Sequence, residues 1–142
     1  MPENRDLTED ARFLAGAAHF DRGEFFEAHE EWEALWHDTR GEPKDFVQGL
    51  IQVTSAMHQL KTGNMRGARQ LHDSSAELLA SYGASYLGVD LERLKAGLDN
   101  ALREILHESW DRLAGRRNPD APVKVAYTAD RAFPFPWKER QK

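Results

Sequence analysis

Between Phe46 and Leu60 the chain carries no Asp, Glu, Lys or Arg, although 30 % of all its residues are charged. A helix without charge over that length has no charged face to turn to bulk water. It must sit centrally and be shielded on most sides. Phe46, Leu50, Val53, Met57 and Leu60 recur at helical spacing and form its main core face. The other side is a neutral stripe of Gln48, Gln52, Ser55 and Gln59. An unpaired buried amide costs about 1–3 kcal/mol, so the stripe lines a pocket, meets a subunit interface or stands in solvent. His58 falls at the edge of the apolar face and reads as a core-edge histidine.

The flanking sequence supplies further helices. The spacing predicts a first helix from about Thr8 to Phe20, with Thr8 as N-cap and Phe13, Gly16, Ala17 and Phe20 on one face. Asp21-Arg22-Gly23 breaks it, and a second helix runs from about Glu24 to Asp38. Pro43 suits the first turn of the third, which ends near Lys61 before Gly63. Asn64 caps a fourth, about Met65 to Tyr82. After a Gly/Ser/Tyr-rich link, Asp90 caps a fifth that carries Leu91, Leu94, Leu98, Leu102 and Ile105 on one stripe and ends near Leu113. The expected class is all-α, with five helices packed as antiparallel hairpins. Phe25 and Ala28 follow Gly23 as Met65 and Ala68 follow Gly63, so the first four share a tetratricopeptide-like spacing.

The pattern changes after Arg116. Phe133-Pro134-Phe135-Pro136-Trp137 must be extended, since proline restricts the residue before it. A helical domain is therefore expected over 1–117, and an extended tail over 118–142 that packs on the helices. Arg116, Arg117, Lys124, Arg131, Lys138, Arg140 and Lys142 read as the solvated part of that tail.

The second helix holds the polar groups that could do chemistry. On a helical wheel Leu35, Ala28, Trp32, Phe25 and Trp36 make a continuous apolar arc, then come His29 and Glu33, and Phe26 closes it. His29 and Glu33 are four residues apart and so within mutual reach, while Glu30 and His37 sit at the far edge and Glu27, Glu31 and Asp38 point to water. A His–Glu pair among aromatics can fix an imidazole tautomer, act as general acid and base, or ligate a divalent metal with Glu30 as a third group. It can also be a satisfied pair that locks helix packing. Trp32 and Trp36 read as core residues.

Other chemistries are excluded or weak. No cysteine is present, which removes disulfides, thiolate sites and thiol nucleophiles and suits a cytoplasmic protein. A net charge of −5 argues against nucleic-acid binding, and no apolar run approaches membrane-spanning length. Glu104-Ile105-Leu106-His107 has the spacing of a di-iron ligand pair, but it occurs once and faces away from the Leu stripe, so it is not read as a metal centre.

His19-Phe20-Asp21-Arg22-Gly23-Glu24-Phe25-Phe26-Glu27-Ala28-His29-Glu30-Glu31-Trp32-Glu33, then Trp36, Phe46 to Val53, His58, Gly63-Asn64 and Gly67-Ala68 together resemble a family of bacterial and archaeal proteins, domain of unknown function 309, over about residues 13–80. The resemblance implies an all-helical fold of packed hairpins and no particular reaction. It places His29, Glu30, Trp32, Glu33, Trp36, Gln48 and Gln52 at motif positions, and these are the ligand-binding candidates, with His29 and Glu33 as metal ligands. The leading expectation is a small-ligand or divalent-metal-binding helical protein with a polar pocket between the second and third helices, which could serve a metal-dependent hydrolase. The alternative is a non-catalytic interaction scaffold or homo-oligomer, with a protein partner or second copy on the Gln stripe and a structural polar network.

Overall fold

A computed structural model describes residues 7–114, 123 and 125–138. The expected boundary at 117/118 lies outside the described residues, as do Arg116, Arg117, Lys124, Arg140 and Lys142. The chain is all-α: α1 Ala11–Asp21, α2 Phe25–Asp38, α3 Pro43–Thr62, α4 Met65–Leu79, α5 Leu91–Ala101 and α6 Trp110–Ala114, with a hairpin of β1 Ser85–Tyr86 and β2 Val89–Asp90 between α4 and α5. No helix among the described residues is long and apolar enough to cross a membrane.

The helices fold back on one another through tight turns. The turn glycines Gly23 and Gly63 have φ of 73° and 93°, a left-handed conformation that side chains disfavour. Trp32 clamps α2 to α1: its indole N–H donates to Phe13 O at 3.1 Å, and the ring lies so close to Gly16 that a Cβ there would come within 2.1 Å of Nε1. The α2–α3 pairing is antiparallel, since Thr54 Oγ1 donates to Phe25 O, Lys61 Nζ to Gly23 O and Lys44 Nζ to Trp36 O. Helix α3 is central, with Phe46, Val47, Ala56 and Met57 fully buried. Its Gly49 lets Leu79 of α4 approach, where a Cβ would meet Leu79 Cδ2 at 2.5 Å. Phe25 and Met65, and likewise Ala28 and Ala68, are buried at matching places in the two hairpins. Trp32 and His72 differ: the first is core, the second half-buried.

Three expectations are corrected. Asp10, not Thr8, caps α1. Its carboxylate accepts from Arg12 N at 2.8 Å, the Arg12 guanidinium holds that carboxyl below its ordinary range, and residues 7–9 form a separate turn. The fifth helix does not run to Leu113 but stops at Ala101. There Arg103 Nη1 takes Asn100 O at 2.7 Å and Arg131 Nη1 takes Ala101 O at 2.9 Å, so side chains cap the last carbonyls. Residues 102–107 continue as turns, and Leu102 and Ile105 stay buried. The Gly/Ser/Tyr link is a two-residue ladder pairing Ser85 with Asp90 and Tyr86 with Val89. It turns through Leu87 and Gly88, both at positive φ.

The C-terminal segment lies against α1 and α2. Phe135 is buried and packs edge-on to Phe13 and Phe20 and tilted on Trp32. Its backbone N–H donates to the Asp21 carboxylate at 2.6 Å. Trp137 bridges Val89, Asp90 N–H donates to Pro136 O and Lys138 N–H to Gly88 O, each at 2.8 Å. Arg131, expected in solvent, is buried, because Glu104 accepts from it with both oxygens at 2.7 Å and the Ala101 and Ala126 carbonyls accept from its Nη1 and Nε. Glu104 is thereby part of an interior clasp as well as a half-exposed group.

Candidate functional site

Helix α2 sets His29, Glu30 and Glu33 on one edge of the α2–α3 pair. Antiparallel pairing puts the middle of α3 opposite the same turns. His29 Nδ1 is buried and has no hydrogen-bond partner. Two carboxylates face it: Glu30 Oε2 at 3.7 Å and Glu33 Oε1 at 3.9 Å. One ligand atom from each residue lies within 4.8 Å of the other two. Around an ion with bonds near 2.1 Å, ligand atoms stand about 3–3.5 Å apart, so each carboxylate would close on Nδ1 by under about 1 Å and the two on each other by at most about 2 Å, within the freedom of half-exposed Glu side chains.

Exposure grades across the cluster. The side chain of His29 is 29 % exposed, that of Glu33 47 % and that of Glu30 58 %. His29 is the anchor at the wet edge, and the acids stand further into water than the wheel suggests. The reason is Phe26, expected to close the arc: it is 55 % exposed, so the aromatic wall is open on that side. Glu30, placed at the far edge by its Cβ direction, reaches His29 as closely as Glu33 does because its carboxylate sits at the end of a flexible stem.

Beside His29 a hollow of about 220 Å³ opens between α2 and α3, lined by Phe25, Phe26, His29, Ser55, His58 and Gln59. The lower half of the neutral stripe therefore faces the site, and Gln48 and Gln52 do not line the hollow. Gln52 is half-buried with its Oε1 shielded and unpartnered, and Gln48 is half-buried one turn earlier. The Trp36 indole nitrogen is likewise shielded and unpartnered, and Lys44 Nζ lies 4.0 Å over the Trp36 ring. Trp32 is spent on the core, its N–H already donated to Phe13 O. His58, read from sequence as a core-edge residue, lines the hollow with its ring 6.0 Å from that of Phe26. The wheel set it at the edge of the apolar face, and the antiparallel register with Phe25 at Thr54 is what brings it to the hollow.

The hollow continues past Phe26 and His58 into a second recess of about 420 Å³ that Arg22, Glu24, Lys61 and Thr62 also line. Arg22 is held there by Glu24 at 3.0 Å, and Arg22 together with His19 keeps the Glu24 carboxyl below its ordinary range, with His19 the stronger influence. The recess is thus charged, with Arg22 and Glu24 paired to each other.

Residues 13–71 match the family described as Domain of unknown function (DUF309). The match covers α1 from Phe13, all of α2 and α3, and α4 to Leu71, and so contains His29, Glu30, Glu33, Gln48, Gln52 and His58. No curated protein matches the chain.

Proposed function

Starting from a chain whose residues 13–71 match the DUF309 family, we propose that it binds a divalent metal ion through His29, Glu30 and Glu33 and presents it to a small ligand in the hollow beside His58. The observation that carries this is the buried, unpartnered His29 Nδ1 facing two carboxylate oxygens at 3.7 and 3.9 Å. A shielded acceptor or donor left unpaired costs about 1–3 kcal/mol, and a cation would satisfy it while neutralising two neighbouring acids. One imidazole and two carboxylates suit Zn²⁺, Mn²⁺ or Fe²⁺. Bound there, such an ion supplies Lewis acidity and an acidified water, which is hydrolase chemistry. His58 and Ser55, across the hollow, would orient the ligand or move its proton.

Calorimetric titration of untagged, chelator-treated protein with Zn²⁺ and with Mn²⁺ tests this. One ion per chain should bind to the wild type. His29→Ala and Glu33→Gln should each weaken binding by more than about 100-fold, beyond the range of outer-shell changes. An unchanged isotherm in His29→Ala, or no binding at millimolar metal, defeats the reading.

A second reading, a helical scaffold that docks a partner or a second copy, is supported by the exposure of Phe26 at the lip of the same hollow. It gains if no metal binds and the chain sediments as a dimer that Phe26→Ser dissolves.

A further inference from the structure

Away from that site, a hollow of about 340 Å³ opens between α4 and α5. Its walls do not match. Ala76 and Ala80 from the α4 side and Ala84 before the hairpin, with Leu79 and Val53 as the larger groups on that wall, face Leu91, Leu94 and Leu98 of α5. Small side chains opposite leucines leave space that neither wall fills, and the lining atoms forfeit dispersion contacts there. At roughly 30 Å³ per water-sized group the space holds about eleven non-hydrogen atoms. That is the size of a small amphiphile, at the lower end of ordinary ligand sites.

The rim of the hollow carries Glu92, Lys95 and Asp99 along one edge of α5. Only one of these is held in place. Asp99 Oδ1 lies 2.7 Å from His72 Nε2 on α4, and His72 Nδ1 lies 2.9 Å from Asp73, which is itself paired to Arg69 at 3.3 Å. This chain of contacts closes one end of the hollow and fixes the Asp99 carboxylate. Its second oxygen has no hydrogen bond among the described residues, and the side chain is 42 % exposed. Glu92 and Lys95 are exposed and make no ion pair among the described residues. The preorganised polar group at the mouth is therefore an acceptor, while Lys95 is exposed and unpaired among the described residues. Preorganised groups give affinity at least ordering cost, so the head that fits is a donor.

We propose that the α4–α5 cleft binds a small apolar amine, its hydrocarbon or aryl body lying on Leu91, Leu94 and Leu98 and its ammonium donating to the free oxygen of Asp99. The site lies apart from His29, and its occupant need not be the ligand of the α2–α3 hollow.

The test titrates the full chain with phenylpropylamine, phenylpropionate and propylbenzene, which share a body and differ in the head, and follows binding by calorimetry and amide chemical shifts. Phenylpropylamine should bind saturably and shift α4 and α5 amides, and phenylpropionate should bind at least about tenfold more weakly, the effect of one charge-assisted hydrogen bond. Asp99→Asn should weaken the amine about tenfold and leave propylbenzene unchanged. Ala76→Leu and, separately, Ala80→Leu fill the hollow from two positions, and whichever variant keeps its far-ultraviolet dichroism should bind none of the three compounds. His29→Ala should bind the amine like the wild type. Equal or tighter binding of phenylpropionate, no saturable binding of the amine, or full binding in a folded leucine variant overturns the proposal.

Discussion

Replacing Glu104 by Gln should release the clasp that fixes the C-terminal segment, and its size follows from the geometry. Both Glu104 oxygens accept from Arg131 at 2.7 Å, and the guanidinium is buried. Hydrogen bonding to Arg131 holds the Glu104 carboxyl at about 2, against an ordinary 4.5. Fully shielded, that difference would supply roughly 3 kcal/mol at neutral pH. The Glu104 side chain is 44 % exposed, and solvent screening brings the figure to roughly 1–2 kcal/mol. The folded-state value is the lower one, so the contribution is present above about pH 4.5 and is lost as pH falls toward 2. Urea unfolding at pH 7, followed by tryptophan fluorescence, should therefore show Glu104→Gln less stable by about 1–2 kcal/mol. The gap should narrow between pH 4.5 and 2, because only the wild type then loses a charge. Equal stabilities at pH 7, or a gap that persists undiminished at pH 2, would refute the reasoning.

Two substitutions probe the core that supports the candidate site. Gly16→Ala places a Cβ 2.1 Å from Trp32 Nε1; since the indole cannot move without losing its bond to Phe13 O, thermal or chemical unfolding should show a loss of about 1–3 kcal/mol or more. Phe135→Ala removes a buried ring that touches Phe13, Phe20, Trp32 and Trp137. It should cost about 3–5 kcal/mol in urea unfolding, and a loss under about 1 kcal/mol would mean that the segment contributes little to the core.

How much of this was legible depends on which property a residue's role required. The place of α3 followed from composition, because Phe46–Leu60 offers water no charge. The turns followed from Gly23 and Gly63, because a left-handed residue is needed there whatever the tertiary context. The wheel failed where a side chain's head and its Cβ part company. It put Glu30 at the far edge, yet the carboxylate swings back to 3.7 Å from His29 Nδ1. It closed the aromatic arc with Phe26, which is exposed because α3 offers Ser55, His58 and Gln59 at that level and no apolar partner. Arg131 was assigned to solvent as one of the scattered basic residues of the tail, and Glu104 by helix periodicity. A continuous fifth helix turns Glu104 outward, whereas the helix ends at Ala101, where Arg103 and Arg131, the latter 30 positions away, take the last carbonyls. Periodicity within a segment cannot register a cap supplied from the far end of the chain.

The candidate sites divide at the end of the matched segment. His29, Glu30, Glu33 and His58 all lie within residues 13–71, whereas the α4–α5 cleft takes only Val53 from that segment and the rest from His72 onward. The three acidic and imidazole groups also come from one helix, within two turns, so their arrangement depends on α2 keeping its shape and hardly on how α5 or the C-terminal segment packs. Trp32 secures that shape from the opposite face by its hold on Gly16 and Phe13. The cleft, by contrast, exists only because α5 packs on α3 and α4 through leucines on one side and leaves small residues unmatched on the other. A site carried on a single clamped helix belongs to the shared hairpins; a site made by the mismatch of two helices belongs to the part of the chain that joins α5 to them.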